Sequence, residues 1–125
     1  ALAAEGLCAR EGISVGVVDM PSIDDELLLE LFDSGKLIIF AEQNNGYIWQ
    51  NFLKVLYRHR KKIGGGDLGR VVTVNTLDAE GRPRFIHSGT YEELVAAFGL
   101  SSSQLARTVT ERAVRGGAAS SLAVN

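Results

Sequence analysis

The sequence predicts a three-layer α/β/α sandwich around a mostly parallel sheet. Three observations carry this. Short runs rich in Val and Ile alternate with longer stretches of helical spacing. The runs, such as Leu37-Ile38-Ile39-Phe40-Ala41, are apolar at successive positions, as strands covered on both faces are. Glycines and capping residues punctuate the transitions.

The elements follow in order. Ala1 to Arg10 reads as a helix closed by Gly12, whose freedom at positive φ suits a helix end. Ile13 to Asp19 is β-branched and reads as a buried strand, and Met20-Pro21-Ser22 turns the chain. Ser22 is placed to cap the next helix, with Asp25 as its capping-box acid. That helix carries Leu28, Leu31 and Phe32 on one face, a core stripe, and Gly35 stops it. Leu37 to Ala41 reads as a second buried strand, and Gln43-Asn44-Asn45-Gly46 as a polar turn. A long helix is expected from Tyr47 to Lys62, with Ile48, Phe52, Val55 and Leu56 inward. Gly64-Gly65-Gly66 breaks it, and Arg70 to Asn75 reads as a third strand. Asp78 to Arg82 is a turn, and Phe85-Ile86-His87 a short extended piece. Thr90-Tyr91-Glu92-Glu93 is a capping box opening a helix that ends at Gly99. Ser101 to Gln104 caps a last helix through about Arg115. One domain over 1–115 and a flexible tail over 116–125 are expected.

Composition narrows the functional classes. The 125 residues carry a formal net charge of -2, which gives no long-range pull toward nucleic acid or an anionic membrane. The single cysteine, Cys8, cannot form an intrachain disulfide, in keeping with a reducing compartment. No apolar run reaches the roughly 18 residues of a membrane helix, and the first residues lack the basic flank of a signal peptide. A soluble, cytoplasmic protein is expected.

Ligands of such sheets sit beyond the carboxyl ends of the strands. Here those ends are Asp19-Met20-Pro21, Glu42 to Gly46, and Asn75-Thr76. The candidate ligand or interface loop is Glu42-Gln43-Asn44-Asn45-Gly46, an acid at a strand end followed by amides at a helix N-terminus. The alternative is that Asn44 or Asn45 caps the helix while Glu42 accepts neighbouring backbone N–H groups. Both readings stay open on the residues alone.

Other motifs reduce to structure. Gly64-Gly65-Gly66-Asp67-Leu68-Gly69 matches the dinucleotide pattern by letters, but a helix precedes it and a strand follows, the reverse of what pyrophosphate binding needs. Arg58-His59-Arg60-Lys61-Lys62 suits the negative end of a helix dipole, with a phosphate contact as the alternative reading. Asp24-Asp25-Glu26 suits the positive end of one. His59 and His87 have no metal-ligand spacing, and Ser88 has no nucleophile-elbow glycines around it. Cys8 packs in a helix; Tyr47 and Trp49 read as core residues with a possible interface role.

Two stretches in fixed order resemble the C-terminal domain of the transketolase superfamily. Glu11-Gly12-Ile13 through Met20-Pro21-Ser22-Ile23, followed by Asp25-Glu26-Leu27-Leu28, is similar to that family's strand-and-turn passage. Lys36 to Gly46 resembles its strand ending in a glutamate before a long helix. Phe85 to Leu94 with Phe98-Gly99-Leu100 resembles the closing passage of transketolases and deoxyxylulose-phosphate synthases. Glu42-Gln43-Asn44 is also similar to the related domain of 2-oxoacid oxidoreductases.

The resemblance implies an assembly and dimerisation domain of a thiamine-diphosphate-dependent enzyme of ketol transfer or 2-oxoacid decarboxylation. The chain would be part of a transferase and not catalytic on its own. Thiamine diphosphate and its divalent metal would be bound by other domains, since the Gly-Asp-Gly…Asn metal motif does not occur in this sequence. The glutamate that activates the thiamine ring belongs to the family's middle domain and is not carried onto Glu42. No catalytic, cofactor-binding or metal residue is therefore placed here. Partners would be other domains or subunits of the same enzyme, with the parent a homodimer. The family's domain has further strands before the first helix, one of them central. The resemblance thus implies that this chain lacks its first strands and takes the central one from an upstream segment or another chain. The alternative is a free-standing regulatory module binding a small anion or nucleotide near Glu42 to Gly46; a third reading is a purely structural interaction domain.

Overall fold

The computed structural model describes residues 1–64, 66–85, 89–116 and 120–124, with Gly116 and the last strand described by backbone alone. The order is α1 (Leu2–Arg10), β1 (Ser14–Val18), α2 (Asp25–Asp33), β2 (Leu37–Ala41), α3 (Tyr47–Arg58), β3 (Val71–Val74), α4 (Tyr91–Ala97), α5 (Ser102–Gly116) and β4 (Ser120–Val124). A single 3-10 turn, Leu68–Arg70, leads into β3. The four strands form one parallel sheet in the order β1-β4-β2-β3.

All five residues of β2 are buried. Because side chains alternate across a strand, this run must be covered twice. Ile38 and Phe40 join Leu28, Leu31 and Phe32 of α2 and Ile48, Phe52, Val55 and Leu56 of α3. Leu37, Ile39 and Ala41 join Ala4 and Cys8 of α1 and Leu105, Ala106 and Val109 of α5 on the other face. The molecule is therefore mixed helix and strand, a small parallel sheet with helices on both faces.

The aromatic side is the heavier. Phe52 lies 5.0 Å from Phe40 and 5.8 Å from Phe32 between ring centroids, and Trp49 adjoins both Phe40 and Phe52. The α1–α5 side is built of small residues, which lets those helices approach closely. There Cys8 Sγ reaches the Ala106 carbonyl at 3.8 Å. Burial, with Glu11 adding to it, pushes the Cys8 thiol up from its ordinary value.

Arg70 ties the end of α2 to the start of β3. Its guanidinium lies over the Phe32 ring, 4.9 Å from the centroid, and donates to the Phe32 carbonyl in the last turn of α2 and to the Lys36 carbonyl beyond it. Gly66 lies so close to this ring that a Cβ there would meet Phe32 Cε1 at 2.2 Å.

Several expectations change. Asp24, not Ser22, caps α2, accepting from the Leu27 N–H at 3.0 Å. The long helix α3 stops at Arg58, four residues before Lys62, and the basic run beyond it forms turns. β1 and β3 are edge strands, partly exposed rather than buried. Ile86, His87 and Ser88 lie outside the described residues.

The largest change concerns Gly116 and Ser120–Val124, residues 117–119 and 125 lying outside the described residues. In place of a flexible tail, α5 runs to Gly116 and Ser120–Val124 pairs with β1 on one side and β2 on the other. The central position expected to need a strand from outside these residues is thus filled by β4. The pairing gives Ser14 to Val18 partners Ser120 to Val124 in register, and leaves no strand edge open between β1 and β2. Among the described residues no helix is long and apolar enough to cross a membrane.

Phe52 and Leu53 are adjacent in α3 but point about 100° apart around the helix, Phe52 fully buried and Leu53 exposed. Phe52→Ala is expected to cost about 3–5 kcal/mol, and Leu53→Ala less than about 1 kcal/mol. Urea unfolding of the two variants measures the difference.

Candidate functional site

The carboxyl ends of β2 and β3 lie side by side, because Ala41 and Val74 are paired in register. The Glu42 N–H continues the ladder to the Val74 carbonyl at 2.9 Å. This sets Glu42, only 5% exposed, directly under the start of α3. Its two carboxylate oxygens accept from the Ile48 N–H at 2.7 Å and the Trp49 N–H at 3.1 Å. These are donors that a helix start leaves without partners, and the dipole there favours an acid. Glu42 is thus the cap of α3, reached from the preceding strand.

The rest of the candidate loop is equally occupied. Asn44 Oδ1 accepts from the Tyr47 N–H at 3.0 Å. Thr76 Oγ1 lies 2.9 Å from the Asn44 carbonyl and 2.7 Å from Asn45 Oδ1, its one proton shared between the two acceptors. Gln43 Nε2 donates to the Tyr91 hydroxyl at 2.9 Å, tying the loop to α4. Gly46 takes φ 73°, and a Cβ there would meet Asn75 Nδ2 at 3.0 Å and Leu77 Cδ1 at 3.2 Å. Both its conformation and its surroundings call for glycine. Glu42 to Gly46 are therefore brought together as a knot that joins β2, α3, α4 and the segment after β3. Of the two readings open on the residues alone, the geometry matches the one in which this loop caps the helix.

Beside the knot lies a cleft of about 580 Å³ that the residues alone did not single out beyond Asn75. Trp49, Asn75, Leu77, Asp78, Arg84 and Phe98 line it. The segment 75–84 folds back over the end of β3, with Leu77 bridged to Pro83 and the Arg84 N–H donating to the Thr76 carbonyl at 3.1 Å. Asp78 holds the turn. Its Oδ1 accepts from the Arg82 and Glu80 N–H groups at 2.8 and 3.0 Å, and its Oδ2 from Arg82 Nε at 3.1 Å. The Arg82 backbone N–H foremost, then its side chain, the Glu80 N–H and the nearby Arg84 charge hold the Asp78 carboxyl below its ordinary range. No sequence signal marks Arg84; only the fold brings it to Asn75.

The remaining sequence candidates take structural places. Arg58 pairs with Asp25 across α2 and α3, and His59 Nε2 lies 3.8 Å from the same carboxylate. Gly65 of the glycine-rich run lies outside the described residues; Gly66 precedes the 3-10 turn, where Asp67 accepts from the Gly69 N–H at 2.7 Å, and β3 rather than an α-helix follows. Trp49 packs in the aromatic cluster while Tyr47 is 59% exposed. Among the described residues no group of three or more His, Cys, Asp and Glu is placed to hold a metal ion. Comparison of the chain with family models, curated proteins and solved structures returned no match.

Two outcomes test this geometry. Glu42→Gln replaces one acceptor by an amide donor facing a backbone N–H, and is expected to destabilise the chain by about 1–3 kcal/mol in urea unfolding. The Asp78 carboxyl, lowered when folded, adds stability above its ordinary value of 3.8 that is lost as pH falls through its folded value. The Arg82 amide resonance is therefore expected to titrate with a midpoint below 3.8.

Proposed function

We propose that this chain is the C-terminal assembly domain of a transketolase-like, thiamine-diphosphate-dependent enzyme, with the catalytic residues on other domains. The observation that carries the reading is the outward face of α3. Leu53, Tyr57 and Tyr47 fall on one arc of the helix, opposite the buried Ile48, Phe52 and Val55. Tyr57 is 70% exposed and Tyr47 59%. Exposed tyrosines on a rigid helix are typical anchors of protein interfaces.

The resembling passages also fall on matching elements. Glu11-Gly12-Ile13 joins α1 to β1, Met20-Pro21-Ser22 follows β1, Glu42 ends β2, and Tyr91 to Leu100 spans α4 and its exit. The groups of the Glu42 to Gly46 loop are spent on holding α3, which suits a scaffold and leaves no free acid there for chemistry. The occupant of the α3 face is another domain or subunit of the same enzyme.

The source protein tests this directly. Its denatured mass is expected to exceed 13.5 kDa, with ketol transfer or 2-oxoacid decarboxylation that depends on thiamine diphosphate. A mass of 13.5 kDa without that activity sinks the reading. In the same protein Tyr57→Glu is expected to weaken subunit association by about tenfold or more in sedimentation equilibrium, because it places a charge in the contact.

A further inference from the structure

α2 and α3 cover the same face of β2, so the sides opposite their buried stripes look outward together. On α2, Glu26, Glu30 and Asp33 recur at i, i+4 and i+7, opposite the buried Leu28, Leu31 and Phe32, and all three are exposed. On α3 the outward side carries Leu53, Lys54 and Tyr57, which with Arg58 and Arg60 line a shallow groove of about 600 Å³. Tyr57 is held in place there. The Arg60 guanidinium lies over its ring, 4.3 Å from the centroid, and Arg60 Nη1 donates to its carbonyl at 2.8 Å.

Charge on this layer is segregated. From Gln43 to Gly66 the sequence has five Lys and Arg and no acid. From Asp19 to Gly35 it has six acids and no base. The net charge of -2 hides this division. Arg58 and Asp25 pair across the seam between the helices. Glu26, Glu30, Asp33 and Lys54 make no ion pair among the described residues.

An aromatic groove walled by cations calls for an occupant that sets acids beside it. Two α3 faces laid together repel, and so do two α2 faces. α3 laid on α2 matches, and a two-fold axis makes that match twice, because each patch then meets its counterpart on the other copy. We propose that the outward layer of α2 and α3 is an interface with a second copy of this chain, α3 of each protomer lying on α2 of the other. A nucleic acid fits less well, since the acid row beside the groove repels phosphates. The inference rests on the assembly reading for the use of the α3 face, and adds what covers it.

The chain closes its sheet with its own strands and is tested as it stands, by sedimentation equilibrium. Dimers are expected at about 0.1 M salt, with Kd raised about tenfold or more at about 1 M, as the Debye length falls from about 10 to about 3 Å. Lys54→Glu and Glu30→Lys, both at exposed positions, are each expected to weaken the dimer by about tenfold or more. The double variant is expected to recover affinity, because it exchanges the two charges. A chain that stays monomeric at both salt concentrations up to about 1 mM protein overturns the proposal, as does unchanged affinity in both single variants. A double variant weaker than either single one overturns the pairing of α3 with α2. A monomeric chain whose source protein has the thiamine-diphosphate-dependent activity overturns this inference alone. A dimeric chain whose source protein lacks that activity supports it and overturns only the enzyme reading.

Discussion

A strand with five buried side chains in succession cannot sit at a surface. β2 imposes that constraint, and the layers of the fold follow from it. Its even and odd positions demand separate covers, and the two covers differ in kind. On one side large rings fill the space under α2 and α3. On the other, Ala4, Cys8 and Ala106 let α1 and α5 come close.

The carboxyl end of β2 solves a second problem. A parallel sheet must send its chain into a helix at once, and the first N–H groups of that helix lack partners. Glu42 supplies the acceptors from the strand itself, so strand end and helix start become one rigid piece. Thr76 and Gln43 extend this piece to the end of β3 and to α4. The cleft beside it is built on that piece: Trp49 lines it from α3, Asn75 from just past β3, and Arg84 from the returning segment.

Much of this was legible in the residues. The β-branched runs located β1, β2 and β3, and the Leu28, Leu31, Phe32 stripe named the buried face of α2. The Thr90–Glu93 capping box is present as read, with both reciprocal bonds made. β4 was not legible, because Ser120-Ser121-Leu122-Ala123-Val124 is small and half polar; its strand state comes from the gap it fills between β1 and β2. Edge and centre were also invisible, since periodicity reports burial but not neighbours. For the candidate site, Glu42 to Gly46 were singled out as a ligand or interface loop with helix capping as the alternative, and the bonds to Thr76 and Tyr91 follow only from three-dimensional proximity. Arg84 could not be found at all, since only the fold brings it to Asn75.

The placement of β4 bears on how the chain reaches this state. β1 has no direct bond to β2; β4 stands between them, and Ser14 finds its partner at Ser120 with nearly the whole chain in between. Closing so long a loop is entropically slow, and nothing rewards it until the central strand is seated. α2, β2, α3 and β3 can condense from neighbouring segments first. α1 and β1 then join through β4 and α5, which makes the two ends of the chain a single late-folding unit. Such a unit also opens first, so protection from amide exchange would divide the sheet between β4 and β2, in a place where the static structure shows an unbroken ladder.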